Sequence, residues 1–347
     1  MKRVVAVVTG REQLEFVEEE IPALGPHDLL IRIDAVGLCH TDLPRFLCQQ
    51  TYGISPRGYR EVQKVVPPCT LGHEPVGTII DVGSAVTRFA IGDRVTGNVQ
   101  DVFATHKVVP DDAILLKLPE LPFDYRRCIV EPVGCVVNII NHALEDGAKT
   151  VGVVGCGVMG LMTIAGLRAR GVQQVVALDV FDEKLETAKK YGATHTVNSI
   201  RKNAVDAVHT LTDGEFLDAI VEITGSLKGL QTACSIIKFP RKNGLLTNPF
   251  TGRGKIVIAS VYAKEEPFPL SLANELVLRG PILDAAHPCA GEDLMKNNQA
   301  AIDAMVSGQI PLQDMITHTI PFNRLAEGFA WLESAPKGYL KGIVYFE

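Results

Sequence analysis

The first third of the chain consists of short runs in which apolar and polar residues alternate. Runs of this kind at residues 29–33, 76–82 and 106–109 are separated by glycine and proline, and they predict β-strands joined by turns. An apolar run at residues 4–8 ends at Thr9-Gly10, too early for the core of a signal peptide, so it also predicts a strand. This part of the chain is therefore predicted to be a β-rich domain.

From about residue 134 the pattern changes to strand, helix, strand. Apolar strands are predicted at residues 151–154, 175–178, 194–197, 219–223, 256–259 and 282–285, with helices at 158–170 and 184–191 among them. Such alternation is typical of a parallel, doubly wound sheet with helices on both faces. The predicted fold class is α/β, with a Rossmann sheet beside the β-rich domain.

The tail of the chain returns to mixed structure. Helices are predicted at residues 294–307 and 323–333, and strands at 316–320 and 343–346. This segment is too short to fold alone, so we expect it to complete the N-terminal domain. The predicted organisation is a first part of that domain at 1–133, a Rossmann domain at 134–288, and a C-terminal part at 289–347.

Composition and charge narrow the functional classes. The 347 residues are 46% hydrophobic and 21% charged, as in an ordinary globular protein, and the net charge of −6 argues against nucleic acid and anionic membranes as partners. The eight cysteines contain no C-x-x-C pair, which favours free thiols in a reducing compartment. We therefore expect a cytoplasmic protein with neither a nucleic-acid nor a membrane partner.

A glycine-rich turn follows the first strand of the predicted Rossmann domain. Gly155-x-Gly157-x-x-Gly160 opens a helix, and Asp179 ends the next strand 19 residues later. Glycines at this spacing let the backbone approach a pyrophosphate, and the acidic residue accepts hydrogen bonds from ribose hydroxyls. The carboxylate would repel a 2′-phosphate, so NAD is favoured over NADP; the alternative is a glycine-rich turn without a nucleotide. The predicted cofactor-binding residues are Gly155, Gly157, Val158, Met159, Gly160, Asp179 and Lys184.

Two short segments of the first domain combine side chains that ligate metals. Cys39 is followed by Thr41, and His73 is followed by Glu74. A catalytic zinc uses three such protein ligands and leaves a fourth position open. Alone, Cys39 would be a core residue and His73 a hydrogen-bonded polar group, but their joint occurrence favours zinc.

Several neighbouring residues allow further interpretations. Asp42 is placed to orient the His73 imidazole. Cys69 is a possible ligand, although Pro67-Pro68 before it favours a turn residue, and His40 faces either a cofactor pyrophosphate or solvent. A basic cluster indicates either an anion site or a solvated loop; it consists of Lys238, Arg241, Lys242, Arg253 and Lys255.

These features together resemble the zinc-dependent medium-chain dehydrogenases, the alcohol and polyol dehydrogenase superfamily. The resemblance extends over almost the whole chain and includes Gly92-Asp93-Arg94-Val95, Phe103-Ala104-Thr105, Lys117-Leu118-Pro119, the glycine turn and Lys341-Gly342-Ile343. Glu131-Pro132 is similar to the sorbitol and threonine dehydrogenase branches. The resemblance implies a GroES-like catalytic domain, with Cys39, His73 and Glu74 as zinc ligands and Glu131 bound directly or through the zinc water.

The chain departs from the family pattern in three places. Residues 96–102 contain no cysteine where many relatives carry a four-cysteine lobe, so we expect one catalytic zinc and no structural zinc. Pro44 replaces the histidine that often ends the proton relay. The segments 44–68 and 243–255 are longer than usual and would reshape the substrate cleft or a subunit contact. The resemblance therefore does not identify the substrate.

The function predicted from the sequence is hydride transfer between NAD and a secondary alcohol of a polyol, sugar or cyclitol. The substrate would lie in the cleft between the domains, with Thr41 passing the proton outward and Glu74 and Glu131 assisting at the metal. The alternatives are an L-threonine 3-dehydrogenase, a zinc-free quinone or enone reductase, and a catalytically silent dinucleotide-binding protein. The retained metal-ligand set argues against the last two. A homodimer or homotetramer is expected.

Overall fold

The buried apolar residues divide between two compact units. In the computed structural model, residues 1–347 are described except 55–59, 240, 243–244, 247–251, 261, 263–268 and 287–293, and the side chains of residues 50–63 and 240–251 are outside the description. The first unit comprises Met1–Val133, Ala301–Val306 and Leu312–Glu347, and the second comprises Gly134–Ala300 and Ser307–Pro311. The domain boundaries at 133/134 and 288/289 stay a prediction from the sequence.

The secondary structure follows the chain in this order. The strands are β1 (Lys2–Gly10), β2 (Gln13–Glu20), β3 (Asp28–Gly37), β4 (Gln50–Ile54), β5 (Arg60–Lys64), β6 (Pro75–Val82), β7 (Arg94–Gly97), β8 (His106–Pro110), β9 (Leu115–Lys117), β10 (Thr150–Val154), β11 (Gln174–Asp179), β12 (His195–Asn198), β13 (Ala219–Glu222), β14 (Arg241–Lys242), β15 (Leu245–Leu246), β16 (Lys255–Ile258), β17 (Ile282–Ala285), β18 (Ile316–Pro321) and β19 (Lys341–Tyr345). The helices are α1 (Leu43–Phe46), α2 (Val130–Leu144), α3 (Val158–Ala169), α4 (Asp182–Lys190), α5 (Ala204–Leu211), α6 (Leu227–Ile236), α7 (Leu270–Arg279), α8 (Leu294–Val306), α9 (Leu312–Met315) and α10 (Leu325–Ser334).

The first unit is built on a seven-stranded sheet in the order β18-β19-β3-β6-β7-β9, with β8 also paired to β3. The last strand, β19, runs antiparallel to β3 with Ile343 opposite Gly37, so the C-terminal segment contributes a strand to this sheet. Its core includes Leu71, Phe103 and Phe329, and Phe329 stacks on Phe46 with ring centroids 4.7 Å apart. This packing holds the turn after β3 against α10.

The second unit contains a six-stranded parallel sheet in the order β12-β11-β10-β13-β16-β17. Strands such as β10 are buried on both faces, which explains their continuous apolar sequences. Strand order reverses between β10 and β13, and ligands of doubly wound sheets bind outside the carboxyl ends of the strands at such a point. The predicted parallel Rossmann sheet is confirmed.

The sequence prediction missed several elements, among them strand β2 and helix α2. Strand β2 is almost entirely exposed, so its acidic sequence lacks the alternation that signals a half-buried strand; it pairs with β1 as a two-stranded ribbon. Helix α2 has Pro132 in its first turn and Gly134 directly after it, so its start resembles a break between elements in the sequence. Proline is tolerated in a first helical turn because the amide lost there has no intrahelical partner.

The helices and the cysteines bear on the predicted compartment of the protein. The helices in the described ranges are all too short or too polar to span a membrane. Seven cysteines are described and all are free thiols, whereas Cys289 lies outside the described residues.

Candidate active site

The end of β3 carries the first part of the candidate metal centre. The chain leaves β3 at Gly37, and Leu38 N–H donates to the Gly342 carbonyl oxygen at 3.0 Å, while Gly37 N–H donates to the Glu74 carbonyl oxygen at 3.0 Å. One turn of 3₁₀-helix (His40–Asp42) then leads into α1. Backbone pairing thus brings Cys39 beside the segment that carries His73 and Glu74.

Three potential metal ligands converge in the first unit. Within the described part of the chain, Cys39, His73 and Glu74 form a group whose ligand atoms all lie within 4.8 Å of one another. Zinc bonds of roughly 2.0–2.3 Å place tetrahedral ligand atoms about 3.3–3.8 Å apart. A thiolate, an imidazole and a carboxylate at this spacing fit zinc after a small contraction.

The His73 ring is oriented by Asp42. The Asp42 carboxylate is buried; its Oδ1 accepts from Gly72 N–H at 3.1 Å, and its Oδ2 lies 3.2 Å from His73 Nδ1. The other ring nitrogen, Nε2, lies 3.2 Å from Thr41 Oγ1 on the side of Cys39. Asp42 thus lies beside the Nδ1 edge of His73 as a charge partner, although Oδ2 makes no hydrogen bond within the described structure, and Nε2 is left to face a metal.

The electrostatics of this pocket favour a positive charge. Burial lowers the pKa of His73, but its interactions with Asp42 and Cys39 outweigh burial and raise the pKa to about 12 in the metal-free protein. A pocket that holds a proton this strongly stabilises a cation at the imidazole. A metal ion would take the place of that proton.

Glu74 is the buried member of the ligand group and is paired with a lysine. Its side chain is 0% exposed, and Lys341 Nζ lies 2.8 Å from Oε1 and 2.6 Å from Oε2. Glycine is required at position 37, because an alanine methyl there would lie 1.8 Å from Glu74 Oε2. Lys341 was noted in the sequence only as part of a family-like ending, and its role depends on the pairing of β19 with β3.

Other candidate residues lie outside the ligand group. Glu131 lies in the first turn of α2 and is 8% exposed, but its carboxylate is not among the mutually close ligand atoms. Cys69 is likewise outside the group, and its backbone pairs with Val8. His40 Nε2 lies 3.1 Å from the Leu332 carbonyl oxygen.

The glycine turn of the second unit has the shape of a phosphate cradle. Gly155 has φ = +105°, and a methyl group at Gly160 would lie 1.9 Å from the Gly155 carbonyl oxygen. Around Gly157 an added methyl would meet no atom within 4 Å, so the space in front of the α3 N-terminus is open. Val158 and Met159 form the first turn of α3, where backbone N–H groups point at a bound anion.

Asp179 lies against this turn. Its Oδ2 accepts from Cys156 N–H at 2.8 Å, and its Oδ1 accepts from Val180 N–H at 2.7 Å and Phe181 N–H at 3.0 Å. Lys184 lies in α4, with its ammonium 5.0 Å from the Phe181 ring centroid. Sequence reasoning missed the bond from Cys156, which directly couples the carboxylate to the glycine turn.

The basic cluster noted in the sequence does not form an anion site where it is described. Lys238 pairs with Asp218, and Arg253 donates to the carbonyl oxygens of Gly280 and Pro281. Lys255 is 6% exposed and pairs with Glu145 and Asp146 at 2.8 Å each. These three side chains are therefore bound to carboxylates or carbonyl oxygens of the protein itself. The solvated-loop interpretation is wrong for Lys255, which is buried. The side chains of Arg241 and Lys242 lie outside the described residues.

Comparison with known proteins agrees with this geometry. Residues 25–119 match the alcohol dehydrogenase GroES-like domain, and residues 158–242 match the zinc-binding dehydrogenase domain. The chain therefore belongs to the zinc-dependent medium-chain dehydrogenases, the alcohol and polyol dehydrogenase family of oxidoreductases.

Individual relatives are similar over more than nine-tenths of their length. An L-threonine 3-dehydrogenase of Caldanaerobacter subterraneus is 24% identical over 365 residues, covering 97% of this chain and 96% of the relative. A probable D-xylulose reductase A of Aspergillus fumigatus is 26% identical over 356 residues, covering 93% and 91%. A putative zinc-binding dehydrogenase of Sinorhizobium meliloti, solved with NADP bound, superimposes with a TM-score of 0.76 at 22% identity and 99% coverage of both chains. This likeness shows the shared fold.

Proposed function

We propose that the chain transfers hydride between NAD and a secondary alcohol, with zinc held by Cys39, His73 and Glu74. The convergence of these three ligand atoms within 4.8 Å is the observation that carries the proposal. Zinc at this position would supply a Lewis acid for the substrate hydroxyl. The family membership of the chain supports this assignment, and the absence of cysteine from residues 96–102 supports a single zinc per chain.

The residues around the metal position divide the remaining tasks. Asp42 holds the His73 ring by its Nδ1 edge. Thr41 is exposed, and its hydroxyl donates to Cys39 Sγ at 3.2 Å, so it borders both the metal ligands and solvent. We assign to Thr41 the transfer of the substrate proton outward, because Pro44 has no group that titrates. Glu131 remains a candidate for binding the metal directly or through a water molecule.

The cofactor assignment rests on the glycine turn and Asp179. Gly155, Gly157 and Gly160 would admit the pyrophosphate to the N-terminus of α3 at Val158 and Met159. The Asp179 carboxylate is held against this turn and would accept hydrogen bonds from the ribose hydroxyls. Lys184, on the following helix, is a further candidate contact with the cofactor. The 2′-phosphate of NADP would be repelled by this carboxylate, so NAD is the preferred nicotinamide cofactor in the proposal.

Asp179→Asn tests the cofactor preference. The amide keeps the size of the side chain but removes its charge, so the ratio of kcat/KM for NAD to that for NADP should fall about tenfold, as a lost charged hydrogen bond predicts. Asp182→Asn is the matched control, because Asp182 contacts Asn198 instead of the glycine turn. A natural preference for NADP in the unaltered protein would contradict the assignment.

The substrate class follows from the two curated relatives in the comparison. D-xylulose reduction and threonine oxidation at carbon 3 both involve a secondary carbinol, which we propose for this chain. A polyol, sugar or cyclitol is the first candidate, and L-threonine is the second because of the similarity to the threonine dehydrogenase. NADH formation with a panel of polyols, cyclitols and threonine, with and without a strong chelator, tests both. Activity on none of them, or activity that chelation leaves intact, would contradict the proposal.

Assembly into a homodimer or homotetramer is proposed from an apolar edge of the second unit. Strand β17 is the last strand of the parallel sheet, and Leu283 on it is 48% exposed. On α7, Val277 is 82% and Leu278 68% exposed. Among the described strands, none pairs with the outer side of β17, and an apolar edge of this kind favours association with another strand, here that of a second copy.

Light scattering of the unaltered protein should give at least twice the chain mass. Leu278→Lys should shift the protein toward monomer, because it places a charge in the proposed contact. Ile91→Lys, at a turn of the first unit where Ile91 is 64% exposed, should leave the mass unchanged. A monomeric unaltered protein would contradict the assignment.

A further inference from the structure

Lys341 forms a buried ion pair at the edge of the candidate metal centre. It begins β19 and is 5% exposed, and its ammonium contacts both oxygens of Glu74, at 2.8 and 2.6 Å. The strand is fixed beside β3 by the bond from Leu38 N–H to the Gly342 carbonyl oxygen. The Lys341 side chain is therefore buried, and its backbone is fixed by the sheet.

One carboxylate thus faces two cationic positions. Glu74 contributes an oxygen to the group with Cys39 and His73, and the same carboxylate neutralises Lys341. Without a metal, a fully buried carboxylate that lost its ammonium would be strongly destabilising, because an unpaired charge would remain in the interior. With a metal bound, two positive centres would share Glu74 and repel each other.

We propose that Lys341 is a positioning residue that holds Glu74 as its counter-ion in the metal-free protein and thereby sets the affinity of the site for zinc. The inference rests on the proposed zinc site. Lys341 stabilises the metal-free fold and opposes the metal, since both compete for the charge of Glu74. The ligands are thus held together before zinc binds, and the metal is bound less tightly than these ligands alone would allow.

A purely structural role of Lys341 makes a different prediction. If the ammonium only fastens β19 to the fold, its loss should lower stability and leave zinc affinity unchanged or weaker. In the proposed role, loss of the ammonium destabilises the metal-free protein more than the zinc-bound protein. Zinc must then bind the variant more tightly than the unaltered chain, because the free energies of folding and of zinc binding are linked in one thermodynamic cycle.

Lys341→Met is the decisive variant. Competition of the purified, metal-stripped full chain with a chromophoric zinc chelator should show binding about ten- to a hundredfold tighter than in the unaltered protein, as expected when one nearby unit charge is removed. Zinc should also raise the melting temperature of the variant more than that of the unaltered chain. Unchanged or weaker binding would overturn the inference.

Two further variants serve as controls for this experiment. Lys341→Arg keeps the charge and can grip the carboxylate through two N–H groups, so it should fold and bind zinc no more tightly than the unaltered chain; tighter binding would overturn the inference even if the methionine variant fails to fold. Lys255→Met is the matched control, because Lys255 is also buried and paired with carboxylates but lies in the second unit. It should lose stability without a change in zinc affinity.

The outcome also separates this inference from the proposed function. If the unaltered chain binds no zinc, or binds it equally well after Cys39→Ala, the proposed zinc site fails. If zinc binding requires Cys39 but Lys341→Met does not tighten it, the inference about Lys341 alone fails.

Discussion

Cys39→Ala is expected to lose the bound zinc and to lower kcat/KM for alcohol oxidation by about 10³-fold or more, since Lewis-acid stabilisation is worth several kcal/mol. Cys39 is one of three ligands in the group, and a second, Glu74, is already engaged by Lys341. Of the two remaining ligands, only His73 would then be free of the Lys341 ammonium. Zinc analysis of the purified variant and steady-state kinetics measure the two losses.

The control for this prediction is a second cysteine of the same unit. Cys69 lies outside the ligand group, so Cys69→Ala should keep its zinc and its activity. Cys39 is only partly buried, and its replacement should leave the melting temperature of the metal-free protein nearly unchanged. Full zinc content and activity in Cys39→Ala would show that the metal lies elsewhere or takes no part in the reaction.

The second large effect is expected at Thr41. A positioned proton-transfer group is typically worth 10²–10⁴-fold, so Thr41→Val should lower kcat by about that factor. The KM for NAD should change little, because the proposed cofactor anchors lie in the second unit at the glycine turn and Asp179. Rapid kinetics and zinc analysis of the same preparation separate a lost proton path from a lost metal.

Thr41→Ser is the matched control for the hydroxyl. It keeps the oxygen that donates to Cys39 Sγ and lies 3.2 Å from His73 Nε2, and it should retain most of the activity. If Thr41→Val retains its zinc and full activity, the proton leaves by another route. Glu131 would then be the next residue to replace.

The sequence predicted the parallel sheet well because the physical signal is local. Residues 151–154 and 175–178 are apolar on both faces, and the structure has β10 and β11 there, each extended by one residue or more. Strand β2 and helix α2 could not be predicted in this way. Strand β2 is exposed along its length and lacks the alternation of a half-buried strand, and helix α2 begins with proline and glycine, which hide its start.

The candidate site was predictable to the extent that its residues are close in sequence. Cys39 and Thr41 share one segment and His73 and Glu74 another, and their chemistry together with the family resemblance suggested that the segments meet. Lys341 lies 267 residues from Glu74, and only the pairing of β19 with β3 brings them together. The register of such a strand pair is set by the whole core, so no local pattern indicates it.

Zinc titration of metal-stripped protein tests the central claim most directly. NADH formation from the best secondary alcohol of the panel should be absent without metal. It should rise in proportion to added zinc and stop rising at one zinc per chain, and Cys39→Ala should show no such recovery. Turnover by the metal-free protein, or recovery that needs two zinc ions per chain, would contradict the account.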